Sequence, residues 1–286
     1  MAASDALATA AWRRRWPAPA KLNLFLHVVG RRDDGYHLLQ TVFRLIDLAD
    51  SLEFAPRDDG AIRLARPLPG VPEDSDLTVR AARLLQQAAH VRTGATIAVA
   101  KRIPLGGGLG GGSSDAATTL IALNALWGTG LARPELASLA LQLGADVPFF
   151  LLGRNAFAEG IGERLTPLDL APAWYVVITP QVAVSTREIF SSAALTPFAK
   201  PLRITAFFAG LGGNDLEPEV CRRYPEVARA LEWLRGYGDA RMSGTGSSVF
   251  AAFATEAEAR TVVAGVPGEW RGVAVRGLDR HPLAPE

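Results

Sequence analysis

A chain of 286 residues, 49% hydrophobic and 21% charged, suits one large or two modest folded domains and excludes a disordered protein. Thirty Lys and Arg stand against 29 Asp and Glu, a formal charge of +1, so no global basic field points to nucleic acid. The single cysteine, Cys221, excludes an intrachain disulfide and a thiolate metal cluster and suits a reducing compartment.

The N-terminal stretch MAASDALATAAWRRRW carries Arg13, Arg14 and Arg15 after its small apolar residues, the reverse of a secretory signal. The arginines between Trp12 and Trp16 read as a solvated terminus. No run approaches about 18 uninterrupted apolar residues, so no transmembrane helix is expected. The expectation is a cytoplasmic protein, monomer or weak homodimer, with neither membrane nor nucleic acid as partner.

AKLNLFLHVVG alternates with period two. Leu22, Leu24, Leu26 and Val28 point one way, and Lys21, Asn23, Phe25 and His27 the other, which makes Lys21 and Asn23 neighbours on one face. A turn-rich GRRDDGYH follows, then an apolar run from Leu38 to Ile46. SLEFAPRDDGAIRLA reads as a hairpin around Asp58-Asp59-Gly60. SDLTVRAARLLQQAAH has helical spacing, with Leu77, Ala81, Leu84, Leu85 and Ala88 on one face and Ser75 or Asp76 as cap.

ATIAVAKRI is a strand. After a glycine-rich turn, SSDAATTLIALNALWG is a helix that starts near Ser113 and closes at Gly128. RPELASLALQLG is another, with Pro134 in its first turn and Gly144 at its stop. Past Leu168 the pattern restarts: strand WYVVITP, helical segments near Arg203–Leu211 and Cys221–Leu234, and a hairpin-like ARMSGTGSSVFAAF. Helix TEAEARTVVAGV and strand RGVAVRG close the chain. That order is β-α-β-β-α-β, the split-βαβ arrangement. The chain divides near Leu168, and no internal repeat is visible. Cys221, at the start of a surface helix in PEVCRRYPEV, reads as structural rather than as a nucleophile.

The stretch KRIPLGGGLGGGSSDAATTL places six glycines in seven positions, Gly106 to Gly112. A flexible linker has longer Gly/Ser runs and polar flanks. This one sits between an apolar strand and an apolar helix. Glycines admit φ > 0 and let backbone N–H groups approach a ligand without a Cβ in the way. The helix that follows adds its free N–H groups and the positive end of its dipole. The combination is a phosphate cradle.

No Gly-Lys-[Ser/Thr] follows, which excludes a Walker loop. Gly106, Gly108 and Gly111 satisfy G-x-G-x-x-G, but any run this dense does. The acidic residue a dinucleotide site needs about 20 residues on is missing at the end of a second strand. The lysine strand and His-Arg-Asp loop of protein kinases are absent too.

PLGGGLGGGSSDAA, Pro104 to Ala117, resembles the phosphate-loop motif of the GHMP kinases, the galactose, homoserine, mevalonate and phosphomevalonate kinases. PAPAKLNLFLHVVGRRDDGYHLLQT, LGADVPFF and SGTGSSVFAAF extend the resemblance over nearly the whole chain. They narrow it to the branch whose acceptor is a cytidine-diphosphate-linked methylerythritol, in the non-mevalonate isoprenoid route. The resemblance implies an α/β (α+β) two-domain fold. Residues 1–168 would form the ribosomal-protein-S5-domain-2-like ATP-binding domain, and residues 169–286 a ferredoxin-like domain.

It implies ATP with Mg²⁺ as cofactors and transfer of the γ-phosphoryl to the acceptor's 2-hydroxyl. ATP's phosphates would lie against Pro104, Leu105, Gly106, Gly107, Gly108, Leu109, Gly110, Gly111, Gly112, Ser113 and Ser114. Asp146 matches the catalytic aspartate of the family, and its place between Gly144 and an apolar run is a poor home for an unpaired carboxylate. Lys21 matches the active-site lysine. Asn23 matches a substrate-contacting asparagine. Tyr36 and His37 match residues that stack on and hydrogen-bond the cytosine, with Phe190 as the opposite face and Thr186 beside it.

Asp115 is a candidate for placing Mg²⁺, or an acid that favours a first helical turn; the metal ligands stay open. The turn Ser243–Ser248 is either part of the cleft or a plain hairpin. Two rival readings stand. One is another GHMP small-molecule kinase, of homoserine or mevalonate type. The other is a nucleotide-binding module without catalysis.

Overall fold

The computed structural model describes residues 11–192, 195 and 198–284. The small apolar residues on which the secretory-signal reading turned, 1–10, lie outside them. The first two strands form a long antiparallel hairpin, β1 (Trp16–Arg31) with β2 (His37–Arg57). The apolar run from Leu38 and the segment SLEF, separate in the sequence reading, are one strand of 21 residues.

The remaining strands are β3 (Ile62–Leu64), β4 (Gly94–Ala100), β5 (Ala156–Glu159), β6 (Arg164–Pro167), β7 (Trp174–Thr179), β8 (Arg241–Met242), β9 (Val249–Phe253) and β10 (Arg271–Leu278). Together they make a ten-stranded sheet whose main path runs β3-β4-β2-β10-β7-β9-β8. Its last four members, in their own chain order 4-1-3-2 and antiparallel throughout, carry out the β-α-β-β-α-β expectation.

The helices are α1 (Leu77–Ala88), α2 (Gly111–Leu126), α3 (Arg133–Leu143), α4 (Val147–Leu152), α5 (Thr186–Phe190), α6 (Ile204–Phe208), α7 (Glu217–Arg223), α8 (Pro225–Arg235) and α9 (Glu256–Ala264). Asp76 caps α1, accepting from the N–H groups of Thr78 at 2.8 Å and Val79 at 3.4 Å. The buried face of α1 is Thr78, Val79, Ala81, Ala82 and Leu85, while Ala88 is exposed at its end. α2 is buried almost all round, and its alanines, serine and threonines admit close neighbours on every side. One core, around Phe43, Leu85, Leu120 and Phe149, lies under α1–α4. A second, around Val176, Leu216, Leu231 and Met242, lies under α7–α9.

Four details differ from the sequence reading. The turn at Asp58-Asp59-Gly60 exists, but its flanks do not pair as a hairpin: β4 lies between β2 and β3 and pairs with β3 in parallel. A turn signal reports a reversal of direction, not the partner of the next strand. The segment Cys221–Leu234 is two helices, because Pro225 cannot continue α7. Cys221 therefore sits inside α7, half-buried against the second core, and burial pushes its thiol pKa up, away from a nucleophile. The helix after the glycine loop begins at Gly111, so Asp115 falls beyond its first turn.

The register of β1 also slips. Asn23 pairs with Phe43 but Leu26 with Thr41, an extra residue on β1 that reverses the alternation. Leu26 consequently joins Lys21 and Asn23 on the same side.

The end of β10 returns to the first half of the fold. After β10 pairs with β7, Gly277 and Leu278 pair with β2, and the His281 N–H donates to the Gly153 carbonyl at 2.9 Å. The C-terminal segment thus clasps the end of α4.

Candidate active site

A cavity of about 760 Å³ opens between the start of the β1–β2 hairpin, the glycine loop, the start of α4 and α5. Lys21 and Asn23 reach it from β1, Gly106, Gly108 and Gly110 from the loop, and Asp146 from the residue before α4. Tyr36 and His37 border it from the hairpin turn, Thr186 and Phe190 from α5. The alternation that put Lys21 and Asn23 on one face is what delivers them together.

Lys21 is buried. Its Nζ donates to the Gly108 carbonyl at 3.1 Å and to Asn23 Oδ1, and lies 3.6 Å from Asp146 Oδ2. The ring of Phe43 lies 5.3 Å from the ammonium. Burial pulls its pKa below the ordinary lysine value, and the charge and hydrogen bond of Asp146 oppose that pull. Asn23 is fixed by Nδ2 donating to Thr41 Oγ1 at 2.9 Å. Asp146 keeps a third of its side chain open to the cavity.

The glycine loop is an ordered turn. Gly106, Gly108 and Gly110 have φ of 67°, 72° and 71°, a left-handed conformation that β-carbons disfavour. The first intrahelical bond of α2 is Ser114 N–H to the Gly110 carbonyl, so the amides of Gly111, Gly112 and Ser113 precede it. Leu109 is buried and its carbonyl accepts from the Lys21 N–H at 3.0 Å. Ser114 directs its hydroxyl to the Pro19 carbonyl at 2.6 Å, and so braces α2 against β1. Pro104 and Leu105 face a second cavity of about 360 Å³ behind the loop, shared with Pro180 and Arg271.

The turn Ser243–Ser248 is more than a hairpin connection. Ser243 Oγ accepts from the Asn23 N–H at 3.1 Å and donates to the Gly108 carbonyl at 3.0 Å. The Ser248 N–H donates to the Gly107 carbonyl at 3.1 Å. Gly244 and Thr245 line the cavity, and the hydroxyls of Thr245 and Thr186 lie 3.0 Å apart. The turn from the second half thus holds the glycine loop of the first.

Asp115 does not reach the cavity. Its carboxylate is buried and meets Lys101 Nζ at 2.8 Å, on the side where Lys101 also meets Asp50. Asp50 Oδ1 accepts from the N–H groups of Arg102 and Ile103 at 2.5 and 2.8 Å. The residues just before the glycine loop and the helix just after it are therefore tied to one carboxylate on β2. Sequence reading missed this cluster, since its members are 14 to 65 residues apart.

At the other end, the rings of His37 and Phe190 stand 5.3 Å apart at 32°. A base between two rings needs two gaps of about 3.5 Å each, so those two rings do not admit one between them. The exposed ring of Tyr36 lines the same cavity. Burial and the charge of Arg31 lower the His37 pKa, which keeps the imidazole neutral. Arg31 and Arg187 also line the cavity and were not singled out in the sequence.

The GHMP kinases N terminal domain family matches residues 76–154, and the GHMP kinases C terminal family residues 193–272. The 4-diphosphocytidyl-2-C-methyl-D-erythritol kinase of Nitrosospira multiformis is 61% identical over 270 residues, covering 93% of this chain and 92% of its own. That of Thiobacillus denitrificans is 60% identical, covering 94% and 96%. A crystal structure of 4-(cytidine 5'-diphospho)-2C-methyl-D-erythritol kinase superposes with a TM-score of 0.82 at 39% identity, covering 92% and 99%. Mevalonate kinase of Methanococcus jannaschii shares the fold, with a TM-score of 0.69 at 14% identity. The chain belongs to the GHMP kinases, in the branch formed by the 4-diphosphocytidyl-2-C-methyl-D-erythritol kinases.

Proposed function

We infer that the protein moves the γ-phosphoryl group of ATP onto the 2-hydroxyl of 4-(cytidine 5'-diphospho)-2-C-methyl-D-erythritol, giving the 2-phosphate for isoprenoid synthesis. The observation that carries this reading is one cavity with two ends. At one end the buried Lys21 meets Asp146 beside a left-handed glycine loop; at the other, Tyr36, His37 and Phe190 offer ring faces and a neutral imidazole. A mevalonate or homoserine acceptor has no use for the second end.

In this reading the loop amides hold the phosphates of ATP and the acceptor's hydroxyl lies at Asp146. The carboxylate takes the hydroxyl proton as the oxygen bonds to the γ-phosphorus and ADP leaves. Catalysis of this type is mostly positioning and charge neutralisation, and a base adds about 10²–10⁴. Lys21 lies against Asp146 and offsets the charge that builds on the transferred oxygens. Asn23 holds the Lys21 ammonium in place.

Mg²⁺ belongs to the same reading. Among the described residues no group of three or more His, Cys, Asp or Glu side chains is placed to hold a metal. Mg²⁺ needs only one or two carboxylates when phosphates and waters supply the rest. An ion that arrives with the nucleotide would be held mainly by the nucleotide's own phosphates and by water. When bound, it neutralises phosphate charge.

A coupled ADP-release assay with Mg·ATP tests the reading, offering in turn the cytidine compound, homoserine, mevalonate, galactose and no acceptor. Turnover with the cytidine compound alone is expected. Turnover with another acceptor and not this one would discard the cytosine end, and a folded, ATP-binding protein silent with every acceptor would be a non-catalytic module.

A further inference from the structure

We propose that Arg31 and Arg187 grip the diphosphate of the acceptor and set the preference for a nucleoside-diphosphate-linked substrate; the identity of that acceptor rests on the reading above. The charges on the cavity wall are unbalanced. Five side chains there carry formal charge: Lys21, Arg31, Asp34, Asp146 and Arg187. Lys21 is paired with Asp146. Asp34 is held at 2.6 Å by Arg32, which lies outside the wall. Among the described residues, Arg31 and Arg187 have no carboxylate within ion-pair distance. Two cations are left uncompensated on the wall, and a diphosphate ester supplies two negative charges.

Their positions match the order of groups in the acceptor. Arg31 is the cross-strand partner of His37, and directly paired residues share a face of the sheet. Arg187 stands three residues before Phe190 on α5, one helical turn away on the same side. Each aromatic of the His37–Phe190 pair thus has an arginine as its immediate neighbour. In the acceptor the diphosphate lies between the cytidine and the polyol, so a base at the aromatic end and a hydroxyl at Asp146 leave it alongside these side chains. The Arg31 Nε is already used, donating to the Gly35 carbonyl at 3.1 Å. That bond fixes the guanidinium plane and leaves its terminal N–H groups for phosphate oxygens. Arginine suits the task because its planar fork matches phosphate oxygens two at a time.

Calorimetric titration of CDP and of cytidine into the wild type, Arg31→Ala, Arg187→Ala and Arg187→Gln separates the diphosphate from the base without relying on turnover. Each substitution is expected to raise the Kd of CDP roughly tenfold, the strength of a charge-assisted hydrogen bond, and to leave that of cytidine within about twofold. Because Arg31 also braces the turn at Gly35, the Arg187 variants carry the test if Arg31→Ala disturbs the fold. Equal loss for CDP and cytidine, or loss for neither, would overturn the proposal. A wild type that binds CDP through these arginines yet fails to phosphorylate the cytidine acceptor would defeat the functional reading and leave the grip standing.

Discussion

Lys21 Nζ stands 3.6 Å from Asp146 Oδ2, the lysine buried and the carboxylate a third open to the cavity. The pair is asymmetric in its surroundings, and that asymmetry makes the lysine the titrating member on the alkaline side. Burial holds its pKa below 10.5, against the pull of Asp146. The charged ammonium is thus lost before an ordinary lysine would lose it. The pH profile of kcat should descend with an apparent pKa below 10.5. Lys21→Arg, whose guanidinium does not titrate there, should have a lower kcat and no such limb. The same limb in Lys21→Arg would assign it elsewhere.

The Asp50–Lys101–Asp115 cluster behaves differently. One cation serves two buried carboxylates. Burial raises the Asp115 pKa to about 7, with Lys101 opposing and Asp50 adding to the rise. Lys101→Met would leave two uncompensated buried carboxylates and should cost about 3–5 kcal/mol. Asp115→Asn should cost much less.

The sign of its pH dependence follows from proton counts. The unfolded chain releases the Asp115 proton near 3.8 and the folded chain near 7, so this group's contribution falls as pH rises between them. Relative to wild type, Asp115→Asn should therefore gain stability from pH 5 to pH 8 in urea unfolding. Equal losses for the two variants would mean that Lys101 does not serve both carboxylates.

The glycines of the loop are not equivalent. A β-carbon at Gly108 would lie 2.1 Å from the Ser243 carbonyl and 2.9 Å from that of Gly246, both backbone atoms. At Gly106 it would meet nothing within 4 Å. Gly106→Ala should therefore cost only left-handed strain, about 1–2 kcal/mol. Gly108→Ala must part the loop from the 243–248 turn. Its KM for ATP should rise at least tenfold above that of Gly106→Ala. Gly110→Val belongs with Gly108→Ala, since its β-carbon would press on Phe150 and Lys21 at 3.0 and 3.1 Å. Equal KM values across the series would remove the loop from ATP binding.

These cases also mark what a sequence reveals. Lys21, Asn23 and the glycine loop were legible because alternation and glycine density are local signals. Asp146 was marked by the family resemblance, and its place between a helix stop and an apolar run agreed with it. The parallel pairing of β3 with β4 was not legible, because a turn says nothing about which strand inserts later. The slip that turns Leu26 toward the cavity depends on an extra residue relative to β2, which only the pairing shows. Arg31 and Arg187 carried no sequence signal, because what sets them apart is the surroundings that the fold gives them in the cavity. Asp50, Lys101 and Asp115 are joined by tertiary structure alone.

His281 makes the C-terminal clasp sensitive to acid. Burial, and next the charge of Arg133, lower its pKa to about 4 from 6.5. Its Nδ1 accepts from the Leu283 N–H at 3.0 Å, which requires a neutral ring. Between pH 6.5 and 4 the unfolded chain binds a proton that the folded chain refuses, so stability falls as pH falls, by about 3 kcal/mol at most. Urea unfolding of His281→Gln should lack this part of the decline. An unchanged pH dependence would show that His281 does not govern the clasp.

The most direct test of the account is a single-turnover transfer of labelled γ-phosphate to the cytidine acceptor by Asp146→Asn, with ATP affinity measured by calorimetry on the same protein. The account predicts a rate at least a hundredfold lower and ATP binding nearly unchanged. A variant that keeps most of its transfer rate would contradict Asp146 as the base and with it the mechanism assigned to the Lys21–Asp146 pair.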